Sequence, residues 1–334
     1  MKTILPIKDP PITHAPGDTY MLAMLMTIPE AYPWIMNNFI NIYMMEDTWE
    51  DMFMNWEHRF ECPFMEISRM DGFMLRTILG KEKSFSETVV HLLQNGYYVY
   101  SCINMKYIPS YFCEKDLSHN IFIYGCDTEK KIFYVADFFN IANRKFAFQT
   151  CTFEELEDSF QHYYDTIGDE DNSSIYDDIV TYTPRIITQW TFDPAILKKQ
   201  LQAYVDGEKL FAGTSIKNQY SYVFGLKIYD RLLQLLEEKV PFGVRPFQLL
   251  YDRARLMDMR IEYLQENGVL SQSAALLKQM NQKYLDHALL TRNCFLKEDY
   301  KHSLFSTGFS GTVEHLNKLK QEDYEFTVRL LQSL

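Results

Sequence analysis

No run of this sequence is apolar for long enough to be a membrane helix. The longest near the start, Tyr20 to Ile28, is under half of the roughly 20 residues that a bilayer core requires, and Asp18 rather than a basic segment precedes it. A positive leader region and a small-residue cleavage site are also missing, so a secretory signal is not expected and the predicted compartment is the cytoplasm. Closely spaced cysteine pairs are absent. Cys62, Cys102, Cys113, Cys126, Cys151 and Cys294 are scattered, with no histidine-rich neighbour at zinc-ligand spacing. That usage argues against a disulfide framework and structural zinc. Basic excess is lacking too: the net charge is -12. Nucleic-acid affinity comes largely from lysine and arginine neutralising phosphates, so no nucleic-acid partner is expected.

What is present is ample material for a core. At 334 residues, 47% of them apolar and 15% aromatic, the chain can bury a sizeable interior and exceeds what one core usually organises. Two regions are expected, residues 1–188 and residues 189–334. Charge divides in the same sense. Residues 1–190 carry net -14 and residues 191–334 net +2, which makes the second part the place for an acidic partner to dock.

The segment Pro16-Gly17-Asp18-Thr19 followed by the apolar run to Ile28 predicts a buried helix, since Asp and Thr favour its first positions. Ile35, Phe39, Ile42 and Met45 recur at helical spacing and predict a second helix over 33–45. Further helical turns are expected over 47–57 and 85–95. From Gly96 the period changes: 97–103, 119–125, 131–137 and 144–150 are short and rich in aromatic and β-branched residues, the mark of strands. The connector 126–130 has hairpin length, so the middle two strands should pair antiparallel. Thr152 and Glu155 form a capping box that starts a helix. The acidic stretch 168–174 reads as a surface loop or linker. Beyond Asp193-Pro194 the pattern is helical almost to the end, with apolar stripes such as Leu250, Ala254, Met257, Ile261 and Leu264. The fold class expected is α+β followed by a helical region.

Chemistry gathers in His119-Asn120-Ile121-Phe122-Ile123-Tyr124-Gly125-Cys126-Asp127 and Phe133-Tyr134-Val135-Ala136-Asp137. A histidine opening one strand of a hairpin and a carboxylate ending its neighbour can meet across the ladder. Such a pair can orient and activate a nucleophile supplied from elsewhere. The plainer alternative is a strand histidine whose ring is simply satisfied by Asp137. Cys102 and Cys126 lie on or beside strands and read as packing residues. No cofactor and no metal are expected.

A helix near the start, then H-x-I-x-I-x-G-x-D, then a strand ending in Asp, resembles papain-like peptidases of the bacteriocin-processing kind. It is more similar still to the family of the butirosin biosynthesis H protein and its relatives encoded beside nonribosomal peptide synthetases. Leu201-Gln202-Ala203-Tyr204, Tyr222 to Tyr229 and Leu256-Met257-Asp258-Met259-Arg260 extend the likeness over the second region. The resemblance implies a papain-like domain ahead of a helical one, with a cleft at their junction. It also implies transfer of an acyl or aminoacyl group from a carrier-protein thioester to an amine acceptor, as in antibiotic biosynthesis. His119 then matches the family's histidine and Asp137 its acidic partner. The family's cysteine stands in a Gly-x-Cys setting, and here that setting is Gly17-Asp18-Thr19, so Thr19 occupies the nucleophile's place.

A threonine hydroxyl is a far poorer nucleophile than a partly ionised thiol. Asp18 would also compete for the helix N-terminus that otherwise stabilises an oxyanion. Thr19 and Asp18 have a simpler reading as helix caps. The resemblance therefore implies either direct transfer assisted by His119, or an inactive scaffold that binds a carrier protein or peptide intermediate, or a peptidase with Thr19 as nucleophile. Trp34 and Tyr43 either fill the core or line a pocket between the two regions. Arg253, Arg255 and Arg260 form either a solvated helix face or a docking patch for an acidic carrier protein.

Overall fold

The computed structural model describes residues 1–45, 52–54, 62–70, 84–140, 145–166, 179–185, 190–209, 222–270, 273–305 and 307–334. The fold is α+β, with an antiparallel sheet and a helical C-terminal region. Among the described residues no helix is long and apolar enough to cross a membrane. The chain divides into two compact units. The first comprises Met1–Pro10, Tyr20–Pro29 and Phe60–Thr188, and the second Pro11–Thr19, Glu30–Arg59 and Gln189–Leu334. A single cut after residue 188 does not describe this division, because two N-terminal segments belong with the C-terminal helices.

The first unit is built on an antiparallel sheet of β1 (Lys2–Ile4), β4 (Met65–Met70), β5 (Tyr98–Asn104), β6 (Ser118–Asp127), β7 (Ile132–Phe139), β8 (Lys145–Thr152) and β9 (Ile179–Pro184). Strand order runs β4-β9-β5-β6-β7-β8, with β1 added beside β6. Strands β5 to β8 occupy the segments predicted for them, and the 126–130 connector closes the β6–β7 hairpin. There Asp127 Oδ1 accepts from the backbone N–H groups of Glu129 (3.1 Å) and Lys130 (3.2 Å). Two helices cover one sheet face. Helix α3 (Phe85–Gln94) starts with a capping box of Ser84 and Glu87. Helix α4 (Phe153–Thr166) starts at the expected pair, where Thr152 and Glu155 satisfy each other's backbone N–H groups at 3.0 and 2.7 Å. Their apolar sides and the alternating residues Val99, Ile103, Ile121, Ile123, Phe133, Val135 and Phe139 form one core. On the opposite face Tyr20 stacks on Phe122 with centroids 5.0 Å apart. Tyr20 belongs to α1 (Pro16–Leu25), which begins two residues earlier than the capping pattern suggests.

The second unit joins a three-stranded sheet to helices. Helix α2 (Tyr32–Asn37) is much shorter than the predicted 33–45: Asn38 closes it and Phe39 takes φ 55°. The residues beyond it form β2 (Ile42–Met45), which pairs with β3 (Met52–Met54) and β10 (Tyr222–Phe224). Local spacing suited either period, and long-range pairing decided it. Strand β3 likewise replaces part of the helix expected over 47–57, the rest of which lies outside the described residues, as does the 168–174 loop. Helices α5 (Pro194–Asp206), α6 (Lys227–Glu238), α7 (Arg245–Glu266), α8 (Ala274–Phe305) and α9 (Ser310–Ser333) complete this unit. Gly225, between β10 and α6, has φ +55°, and a Cβ there would lie 2.1 Å from the carbonyl oxygen of Tyr204. Only glycine fits that turn.

Candidate functional site

His119 sits near the start of β6 and Asp137 near the end of β7. The last register pair between these strands is Phe122↔Ala136. His119 and Asp137 lie just beyond that last pair. The side chains do meet: His119 Nε2 lies 3.2 Å from Asp137 Oδ2. Asp137 is fully buried, whereas the imidazole keeps 21% of its surface exposed. The tautomer with its hydrogen on Nε2 would suit that carboxylate and leave the imidazole lone pair on Nδ1.

Two tyrosines complete the arrangement. The Tyr20 hydroxyl donates to Asp137 Oδ1 and also lies 3.1 Å from the carbonyl oxygen of Asn120. The Tyr111 hydroxyl donates to Asp137 Oδ2, and its ring meets the imidazole of His119 edge-on, with centroids 5.9 Å apart. Burial pushes both phenols well above their usual titration range, and the neighbouring Asp137 charge pushes them further. Phenols held above their ordinary range are protonated donors at neutral pH. Two phenol donors therefore converge on one buried carboxylate, which helps to satisfy it and fix its orientation, while the His119 imidazole stands beside it at 3.2 Å. Neither tyrosine carries a local signal in the sequence: their partner is 117 and 26 residues away.

Thr19 and Asp18 belong to the second unit. Because α1 starts at Pro16, both lie inside its first turn rather than capping it. Thr19 is buried, and its hydroxyl donates to the carbonyl oxygen of Ala15 at 2.7 Å. The Asp18 carboxylate, also buried, lies 3.2 Å from His14 Nε2. The other face of that imidazole is 3.4 Å from Asp252 Oδ2 on α7, and none of the three side chains is exposed. Asp252 also accepts from the Thr13 N–H (2.6 Å) and from Gln248 Nε2 (2.9 Å), and Arg292 Nη1 donates to Gln248 Oε1 at 2.6 Å. Burial by itself would lower the His14 pKa, but hydrogen bonds and charge from Asp18 and Asp252 outweigh it and raise it. The buried His14 ring, set between the carboxylates of Asp18 and Asp252, joins the segment before α1 to α7. Asp18 is thus buried and engaged internally.

The arginine patch is corrected by burial. Arg253 and Arg260 are completely inaccessible, and only Arg255 is partly exposed. Arg253 pairs with Asp323 Oδ1 on α9 at 2.5 Å and stacks 3.6 Å over the ring of Tyr204. Tyr204 and Tyr229 donate to the other oxygen of Asp323. Arg260 caps the end of α2, donating to the carbonyl oxygens of Met36 (2.8 Å) and Asn38 (2.6 Å). Burial and the nearby charge of Arg253 bring its guanidinium down to about 9. These two residues organise the interior of the second unit and leave no surface patch. Trp34 and Tyr43 are buried as well, Trp34 edge-on to Phe39 and Tyr43 edge-on to Tyr222.

Among the described residues no group of three His, Cys, Asp or Glu side chains is placed to hold a metal ion. No protein-family model matches the chain, and no curated protein matches it significantly. The chemistry of the site therefore rests on the His119–Asp137 geometry.

Proposed function

We propose that the first unit is a papain-like domain whose His119–Asp137 pair acts as a general base in acyl or aminoacyl transfer, from a carrier-protein thioester to an amine acceptor in peptide natural-product biosynthesis. The observation that carries this reading is a buried carboxylate held by two phenol donors, with Nε2 of a partly exposed imidazole 3.2 Å away. His119 Nδ1 would take a proton from the acceptor amine as its nitrogen attacks the thioester carbonyl. The tetrahedral adduct then collapses with loss of the thiolate, which recovers that proton from the imidazolium. No covalent enzyme intermediate is required. The Thr19 hydroxyl, engaged with Ala15, is not proposed as a nucleophile.

His119→Ala should lower transfer from a panel of carrier thioesters by roughly 10²–10⁴-fold, the usual worth of a positioned base, and Asp137→Asn should lower it too. Unchanged rates in both would refute the mechanism. A second reading, a catalytically inactive scaffold for a carrier protein or peptide intermediate, is favoured by the buried, internally bonded hydroxyl where the resembling family has its cysteine. A scaffold binds carrier protein equally well as wild type and as His119→Ala, with no turnover in either. Thr19→Cys treated with a thioester probe separates the two further. Acylation of the new thiol that disappears with His119→Ala supports an intact enzyme site.

A further inference from the structure

Helix α8 carries two apolar rows, and the second unit packs against one of them. Leu277, Asn281, Tyr284, Ala288, Thr291 and Phe295 are buried and recur at alternating intervals of four and three residues, the pattern of a helix packed on one side. On that side Asn281 Nδ2 donates to the Ala254 carbonyl oxygen of α7 at 3.1 Å, and Tyr284 stacks against Phe326 of α9. A second row, Leu289, Asn293, Leu296, Tyr300 and Leu304, has helical spacing too and lies about 140° round the helix from the first. Leu296, Tyr300 and Leu304 are 45%, 68% and 55% exposed. A helix packed on one side carries polar residues on the other, so this outer row is unlike an ordinary solvated face.

The outer row has the form of a heptad seam, Leu289 and Leu296 at one core position and Asn293 and Tyr300 at the other. It is self-complementary about a point near residue 294. Laid end over end on a copy of itself, it sets Leu289 against the partner's Tyr300, Asn293 against the partner's Leu296 and Leu304 against the partner's Leu285. Charge follows the same two-fold. Asp286 and Lys301 are exposed on one flank, at nearly equal distances from that point, so each acid meets the partner's base and the pair forms twice. A parallel copy would instead bring acid to acid and base to base. Lys283, on the same flank, is already paired with Glu322 at 3.1 Å. The aliphatic stem of Lys297 would cover the partner's Leu290, which is 44% exposed. Residues 191–334 carry only net +2, so two copies can approach through this region without the repulsion that the acidic first part would impose. We infer that the outer face of α8 is the contact of a homodimer, two copies of the helix pairing antiparallel about a two-fold axis near residue 294.

Sedimentation velocity on the full-length protein, from about 1 to 200 µM, should show a reversible monomer–dimer equilibrium with a micromolar dissociation constant, as suits a contact of this size. Leu296→Lys and Tyr300→Asp each put charge into the seam of both copies and should weaken dimerisation by at least about tenfold. Asp286→Lys alone, or Lys301→Asp alone, should weaken it roughly three- to thirtyfold. The two charge reversals together in one chain should restore the wild-type constant, because the pair re-forms with its signs exchanged. All four substituted side chains are exposed, so melting temperatures of the dilute monomers should stay within a few degrees of wild type. The dimer is overturned by wild type that stays monomeric throughout, by dimers that survive both Leu296→Lys and Tyr300→Asp, or by a double reversal that fails to restore what each single one loses. Monomeric wild type that binds carrier protein, with the binding lost in Leu296→Lys, would give the face to that partner and equally overturn the dimer.

Discussion

Replacing Tyr111 by phenylalanine removes one donor from Asp137 and little else. The ring keeps its contact with Phe139, 4.9 Å between centroids, and its edge-on approach to His119. Tyr20→Phe likewise keeps the stack on Phe122. Each change deletes a hydrogen bond to a fully buried carboxylate, and bonds to charged groups contribute about 1.5–3 kcal/mol. Each single variant should lose that much in urea unfolding at neutral pH, seen as a lower midpoint with an unchanged slope. The double variant leaves the carboxylate with neither phenol and with the His119 ring 3.2 Å away. The two losses should therefore not add: the second deletion should cost more than it does alone, with a coupling above about 0.5 kcal/mol. Exposed Tyr324→Phe on α9 serves as the control, expected within about 0.5 kcal/mol of wild type. Single losses no larger than this control, combining additively, would show that Asp137 is not held as argued.

The His14 cluster gives a pH dependence with a definite sign. Its pKa is raised above the ordinary 6.5 in the folded chain, so its contribution is fully present below that value and lost as pH rises through the folded one. Wild type should lose stability over this rise relative to His14→Gln in melting curves taken from about pH 5.5 to 9; a flatter wild-type profile refutes it. Arg253→Ala strands the buried Asp323 and should cost about 3–5 kcal/mol in chemical unfolding, whereas Arg255→Ala should be nearly neutral. Gly225→Ala forces a Cβ against the Tyr204 carbonyl at positive φ and should cost more than about 2 kcal/mol; a wild-type melting temperature would rule that strain out.

Elements whose reason is local were legible in the chain. Strands β5 to β8 announced themselves by composition, and α4 by its Thr152–Glu155 box. His119 and Asp137 were found because a hairpin joins them. Where the reason lies far along the chain, local pattern failed. Strand β4 has a polar, methionine-rich sequence and exists because β9 pairs with it, while 33–45 looks helical until β3 and β10 claim its end. Arg253 and Arg260 looked solvated because charge normally marks a surface. Their partners Asp323, Met36 and Asn38 are 70, 224 and 222 residues away. Tyr20 and Tyr111 escaped notice for the same reason.

The interleaving of the two units bears on how the chain is made. Trp34, Ile35, Met36, Phe39 and Ile40 emerge from the ribosome early, yet the helices that bury them belong to the last part synthesised. Until α7 is translated, this greasy stretch has no native shelter, and closing so long a loop is slow. A fragment stopped at residue 188 should therefore aggregate rather than fold into a stable domain, and nascent chains should lean on chaperones during the wait.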